Sequence, residues 1–428
     1  MGTDLPEERI RPRALVGSGV LPDRAATLTL QDADPLAGVA SLRREFPEAA
    51  PALVAEAASQ ARLRAASLRT SRSARGPRRE AARGLQQASR WAVAAYRAGE
   101  LRRRLGAPDR GGPPLVADLG CGLGIDALAL ADAGFRVLGL ENDPWTAEAA
   151  SVNCADHPGI HIVEGDAREA DLESCAAAFC DPARRDPAAP LPTHGAGRPP
   201  RVGDPGRWSP PWPWVVQASR RLPTVAKASP GIPASAVPAD AEREWIEVDG
   251  DVVECCVWFA PLGQAGVRRA TLLAERGSRT LSAGPAEDRP GPAPPEPPER
   301  PDAYLLEPAA VVRRAALVEA LAEAVRADGT AARRIGEWLT CPRDPATAWA
   351  RTWRVAAPLP RGSRALRAAL SGFGPVAWKT DAIRESADQV GRRVGHRPTP
   401  DGPAATVIML GDGSAWLAER AHPPADGG

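Results

Sequence analysis

Residues 115–126, Leu-Val-Ala-Asp-Leu-Gly-Cys-Gly-Leu-Gly-Ile-Asp, constrain this chain more than any other stretch. A short apolar run enters a loop with glycine at every second position, Gly120, Gly122 and Gly124, and an amphipathic run begins at Ile125. That order spells a buried strand, a tight turn and a helix N-terminus. Glycines at such spacing let the backbone approach a ligand with no Cβ in the way, so a phosphate- or ribose-bearing ligand is expected over the loop. Spacing narrows the choice. The G-x-G-x-x-G pattern of dinucleotide sites needs glycine at 125, where Ile125 stands. No Lys-Ser/Thr pair follows the loop, so the triphosphate-cradling pattern fails as well.

Beyond the loop, residues 115–183 alternate strand and helix patterns in the way that builds a parallel sheet. Residues 136–141 read as the second strand and end in Glu141, about twenty residues past the first glycine, where an acid accepts hydrogen bonds from two ribose hydroxyls. Residues 145–154 read as a helix, 160–163 as a third strand, and Glu164-Gly165-Asp166-Ala167 as a turn. The fourth strand, 176–180, delivers Asp181-Pro182-Ala183-Arg184-Arg185 to the carboxyl edge of the sheet, where ligands bind in open α/β folds. A long Pro/Gly/Arg-rich loop follows, with Trp208, Trp212 and Trp214 in or beside it. Anchoring the loop to the sheet is the expected job of these tryptophans, and stacking on a base is the alternative. Thr224-Val225-Ala226-Lys227 reads as the fifth strand. A strand-end lysine is ordinarily a surface charge, whereas a desolvated one is able to act as a base.

At 428 residues the chain is too long for one ordinary core, and two or three domains are expected. Net charge is only +1, but residues 60–104 hold thirteen arginines against Glu80 and Glu100. Such a cluster is either a solvated helix surface or a nucleic-acid face. The seven cysteines include no C-x-x-C pair, so neither a disulfide framework nor a metal site is suggested, and a reducing cytoplasm fits. Cys180, beside the Asp181 motif, and Thr340-Cys341-Pro342 invite a cysteine-nucleophile reading, but buried reduced thiols are the commoner state. The N-terminus lacks the apolar core of a signal peptide, and no run of about 18 apolar residues is long enough to span a bilayer.

The G-x-G-x-G loop with Asp118 resembles motif I of the class I S-adenosylmethionine (SAM) methyltransferases. The tetrad at Asp181 resembles motif IV of amino-group methyltransferases, Asp/Asn-Pro-Pro-aromatic, with Ala183 in place of the second proline and Arg184 in place of the aromatic. The chain as a whole resembles bacterial SAM-dependent methyltransferases that carry a C-terminal THUMP-like domain. That likeness rests on Gln87-Ala88-Ser89, Tyr96-Arg97-Ala98, the SAM loop, the Asp181–Arg185 run, Lys227-Ala228-Ser229-Pro230-Gly231, Glu307-Pro308 and Trp378-Lys379-Thr380.

The resemblance implies an α/β fold with a Rossmann-like seven-stranded methyltransferase sheet, an N-terminal helical region and a small C-terminal α+β domain. Residues 251–259 and 267–274 would supply the closing antiparallel strands. The implied divisions are a mainly helical, Arg-rich 1–105, a methyltransferase domain over 106–284, and a Pro-rich linker over 285–301. A helical segment over 302–355, opening at Tyr304, and a THUMP-like domain over 356–428 complete them. SAM is the implied cofactor, seated by Asp118, Gly120, Gly122 and Gly124 and oriented by Glu141 and by Asp166, which would hold the adenine amino group. Asp181, Pro182 and Arg184 would form the catalytic group, with Arg185 and Lys227 on the substrate. RNA is the implied partner, with no metal and no membrane. A non-catalytic RNA- or protein-binding module and a small-molecule methyltransferase are the alternatives.

Overall fold

The computed structural model describes residues 91–106, 112–184, 203–274, 277–285, 298–381 and 385–421. Much of the Arg-rich segment, Gln87-Ala88-Ser89, most of the long loop with Arg185, and most of the Pro-rich linker lie outside the described residues. The chain divides into two compact units, Met1–Ala241 with Cys256–Gln264, and Glu242–Cys255 with Ala265–Gly428.

In the first unit, α1 (Trp91–Leu105) precedes β1 (Leu115–Leu119), α2 (Ile125–Asp132), β2 (Arg136–Glu141), α3 (Pro144–Asn153), β3 (Ile160–Glu164), β4 (Ala177–Cys180), α4 (Trp212–Ala218) and β5 (Thr224–Ala228). The strands pair in the order β3-β2-β1-β4-β5, each neighbour parallel. β4 and β5 are buried along their whole length, which is why they read as unbroken apolar runs. The order reverses beside β1, so the loops after β1 and β4 open on the same carboxyl edge. Helix α2 is buried from Ile125 to Leu130, and α1 packs on it. Helix α3 starts on a firm cap: Asp143 accepts from the Thr146 N–H at 2.8 Å, and Pro144 takes the first turn. Such a cap stabilises a helix by about 1 kcal/mol.

The second unit holds β6 (Glu242–Val248), the first part of β7 (Asp251–Trp258), β8 (Arg268–Ala274) and β9 (Gly277–Ala283). β8 runs parallel to β6 and antiparallel to β9. Residues 267–274 therefore do not close the sheet as a purely antiparallel strand, and β9 continues the ladder past the expected count of seven. Then come β10 (Tyr304–Pro308), α5 (Ala310–Arg314), α6 (Val318–Ala327), β11 (Arg333–Ile335), β12 (Trp338–Cys341), β13 (Ala350–Leu359), α7 (Ser363–Ala369), β14 (Val376–Thr380), α8 (Ala387–Val394), β15 (Ala405–Met409) and β16 (Ala415–Arg420). Tyr304, expected to open a helical segment, instead begins a strand held on both sides, by β12 and by β13.

These last strands form a seven-stranded sheet in the order β11-β12-β10-β13-β16-β15-β14. One cluster gathers Leu305, Trp338, Trp353, Ile408 and Trp416; another gathers Val407 and Met409 with Leu366, Leu370, Val390 and Val394 of α7 and α8. Because Val407 and Ile408 are neighbours in β15, the two clusters lie on opposite faces of the sheet. The sheet also curls back on itself: Asp381, just after β14 at one end, accepts from the Glu337 N–H at 2.9 Å, in the turn between β11 and β12 at the other.

Candidate active site

The loop between β1 and α2 is built by backbone conformation. Gly120 has φ 82° and Gly124 φ 81°, a region that costs other residues about 1–2 kcal/mol. Close approach adds a second constraint at Gly124, where a Cβ would stand 2.7 Å from the Cys154 sulfur, while one on Gly120 would only touch the Asp181 carbonyl oxygen, at 3.4 Å. The loop is fastened from β2 and α3. Gly120 and Cys121 donate to the Leu140 carbonyl at 2.9 and 3.0 Å, and buried Asn153 donates to the Leu123 carbonyl at 2.9 Å.

Glu141 stands at the carboxyl end of β2 and faces the same loop. Its two oxygens accept the Gly122 and Asp143 N–H groups, each at 3.0 Å, and burial pushes its carboxyl above the usual range. Asp118 is fully buried on β1, and neither of its oxygens has a hydrogen-bond partner among the described residues. Its carboxyl is held well above the usual carboxylate range, first by burial and then by the charges of Asp126, Asp181 and Glu141, while Arg97 acts the other way. Asp166 sits farther out. Its carboxylate accepts the Arg168 N–H at 2.8 Å and pairs with the Arg168 guanidinium at 2.5 Å, which lowers its pKa.

At the end of β4, Asp181 meets Lys227 of β5, with Nζ 2.7 Å from Oδ2. The lysine side chain is 8% exposed and the aspartate 21%, so this lysine is no surface charge. Burial raises the Asp181 carboxyl, and the Lys227 ammonium is the largest opposing influence. Pro182 is buried, and Ala183 exchanges main-chain hydrogen bonds with Ser209 at 2.7 and 3.0 Å. Arg184 is half-buried, and its charge also lowers Asp181. Trp208 and Trp212 anchor the returning loop: both are buried, their rings meet edge to face at 5.6 Å, and the Trp212 indole N–H donates to the Ala236 carbonyl at 2.7 Å.

Sequence reading assigns no site role to two residues of this neighbourhood, Arg97 and Asp126. Arg97, on α1, is 3% exposed, pairs with Asp126 in the first turn of α2 and lies 4.5 Å over the Phe179 ring. A signal for it existed. Val93, Ala94, Arg97, Ala98 and Leu101 form one buried stripe at helical spacing, and an arginine inside such a stripe is a candidate buried cation. Cysteine chemistry finds no support here: Cys180 is fully buried with its thiol pushed well up, and burial pushes Cys341 to about 12.

These residues fit a ribose- and cation-bearing ligand. Gly122 has open space where a Cβ would stand, Glu141 lies beside it, and Asp118 has no hydrogen-bond partner among the described residues. Comparison with known proteins agrees at the level of fold. A candidate methyltransferase from Porphyromonas gingivalis W83 superposes with a TM-score of 0.64 at 18% identity, covering 87% of this chain and 92% of its own. The fold is methyltransferase-like. Two Mycobacterium tuberculosis proteins, from strains CDC 1551 / Oshkosh and ATCC 25618 / H37Rv, are each named an uncharacterized S-adenosylmethionine-dependent methyltransferase. Both are 29% identical to the chain over 202 residues, which is 46% of this chain and 49% of theirs. The chain thus spans about half the length of the curated relatives it matches. No family model matches it.

Proposed function

We propose that this chain binds SAM over the Gly120–Gly124 loop and transfers its methyl group to a nucleic-acid acceptor, RNA. The observation that carries the reading is Asp118, a buried carboxyl group with no hydrogen bond among the described residues, set next to a glycine turn and a second acid, Glu141, on the adjacent strand. Buried polar groups are nearly always paired, so an orphan of this kind marks a place where a ligand completes the bonding. SAM would bring an electrophilic methyl group on a sulfonium. The chain's own work is then positioning and electrostatics. Glu141 orients the ribose, Asp166 takes the adenine amino group in exchange for part of its pairing with Arg168, and Asp181 with the Pro182 main chain sets the acceptor. Arg184 and Arg185 grip phosphate or a base edge, and Lys227 faces the acceptor beside Asp181. RNA as the partner is supported by the resemblance and by the thirteen arginines of residues 60–104.

The test has two stages. Equilibrium dialysis with labelled SAM should give binding that Glu141→Ala weakens at least tenfold while the fold is retained. Incubation with RNA from a strain lacking the gene should then incorporate label, and RNA from the parent strain should not. SAM binding without incorporation into either RNA would refute the RNA reading.

A further inference from the structure

Asp181 and Lys227 lie side by side on the carboxyl edge of the first sheet. β4 and β5 are parallel with Cys180 opposite Ala226, so the next residues along the two strands, Asp181 and Lys227, fall in register, and their side chains meet at 2.7 Å. The pair decides what kind of atom can be methylated there. A neutral amine offers N–H donors and gathers positive charge on nitrogen as the methyl arrives. Lys227 works against both: its ammonium already occupies Asp181 Oδ2, and a fixed cation beside the reacting atom opposes a second one. A hydroxyl has the reverse needs. Its proton must leave, and negative charge grows on its oxygen.

The surroundings point the same way. Arg184 stands where an aromatic would clamp a base, and Trp208 and Trp212 are buried against each other. We propose that the acceptor atom is a hydroxyl oxygen, in RNA the ribose 2′-OH, held between Asp181 and Lys227. This rests on the methyl-transfer reading above.

In the step, a lone pair on the hydroxyl oxygen forms the bond to the methyl carbon. The methyl–sulfur bond breaks with its electron pair left on sulfur, which becomes a neutral thioether. The hydroxyl proton passes to Asp181 Oδ1 and from there to water. Burial moves Asp181 upward from the ordinary carboxylate range, the direction a base at neutral pH requires. Lys227 stabilises the charge growing on oxygen.

Alkaline hydrolysis of RNA labelled in vitro tests the proposal, because a 2′-O-methyl group protects the adjoining phosphodiester. Label should emerge in alkali-resistant dinucleotides. Label in mononucleotides would overturn the hydroxyl acceptor while leaving methyl transfer standing; absence of both SAM binding and label would overturn the reading beneath it. Lys227→Met should lower kcat on the order of 10²–10³-fold with SAM affinity changed less than twofold by calorimetry, and Lys227→Arg should recover part of the loss. A purely structural lysine would instead lose SAM affinity and thermal stability together.

A readout without turnover is also open, since Lys227 and Lys379 are the chain's two lysines. In a Lys379→Arg background the isotope-labelled Lys227 side-chain resonance should shift on adding substrate RNA and stay in place with the 2′-deoxy analogue. Equal shifts with both RNAs would refute contact with the hydroxyl.

Discussion

Removing the guanidinium at Arg97 tests whether the charges beside the glycine loop are structural. Arg97→Met keeps most of the apolar stem, but it takes the cation away from Asp126 and from the neighbourhood of Asp118. Deleting one partner of a buried ion pair costs about 3–5 kcal/mol, because the remaining carboxylate has lost its compensation. Loss of the guanidinium over Phe179 adds roughly 0.5–2 kcal/mol. Against a domain stability of roughly 5–15 kcal/mol the first unit should become marginal. Urea unfolding followed by tryptophan fluorescence measures the loss. Asp126→Asn in the same background should restore part of it, with a coupling energy of roughly 1–3 kcal/mol in the double-variant cycle. Acidity gives a second handle. Burial already holds Asp118 high, and without Arg97 its folded-state pKa rises further above the unfolded value, so the variant's deficit should shrink as pH falls. A loss below about 1 kcal/mol, or a cycle without coupling, would refute the argument.

Gly124→Ala should destabilise by about 2–4 kcal/mol, combining the left-handed backbone penalty with overpacking against Cys154. Adding Cys154→Ala should recover the steric share but not the conformational share, as thermal melts of the single and double variants will read. Asp381 in the second unit concerns pH. Burial pushes its carboxyl from 3.8 to about 6, so the folded state binds the proton more tightly than the unfolded one. The stability it contributes is present in full below about pH 4 and is lost as pH rises through about 6, a change of up to about 3 kcal/mol. Asp381→Asn keeps an acceptor for the Glu337 N–H and should flatten that dependence, leaving the variant more stable than the parent at pH 7. Urea midpoints at pH 4, 5, 6 and 7 measure it, and parallel pH profiles for the two proteins would contradict the assignment.

The first unit was legible because its signals are local. Buried parallel strands leave short apolar runs, and the loops that end β1 and β2 carry the glycines and Glu141 at fixed offsets. The second unit conceals its strands. Leu305 and Leu306 suit a helix as well as a strand, and only pairing with β12 and β13 decides between them. Gly277–Ala283 is mostly exposed and lacks apolar alternation, so its strand character comes from the β8 ladder beside it. Lys227 illustrates the same limit within the site. Sequence alone favours a surface charge at a strand end, and what overturns this is Asp181, 46 positions earlier in the chain.

Which charges are already engaged decides what ligand the loop accepts. Arg97 pairs with Asp126 and Lys227 with Asp181, while Glu141 receives two main-chain N–H groups. Asp118 differs from these carboxylates in that neither of its oxygens is hydrogen-bonded among the described residues. Burial and three neighbouring acids oppose its ionisation, so a cation arriving there would favour the ionised carboxyl. A phosphate meets the opposite field. Glycine turns entering a helix N-terminus commonly bind anions through free N–H groups, but here Glu141 accepts the Gly122 N–H, and Gly120 and Cys121 donate to Leu140. With the Gly120, Cys121 and Gly122 N–H groups committed and a buried acid beside them, the turn suits a ligand carrying positive charge and hydroxyls, as the proposed SAM does.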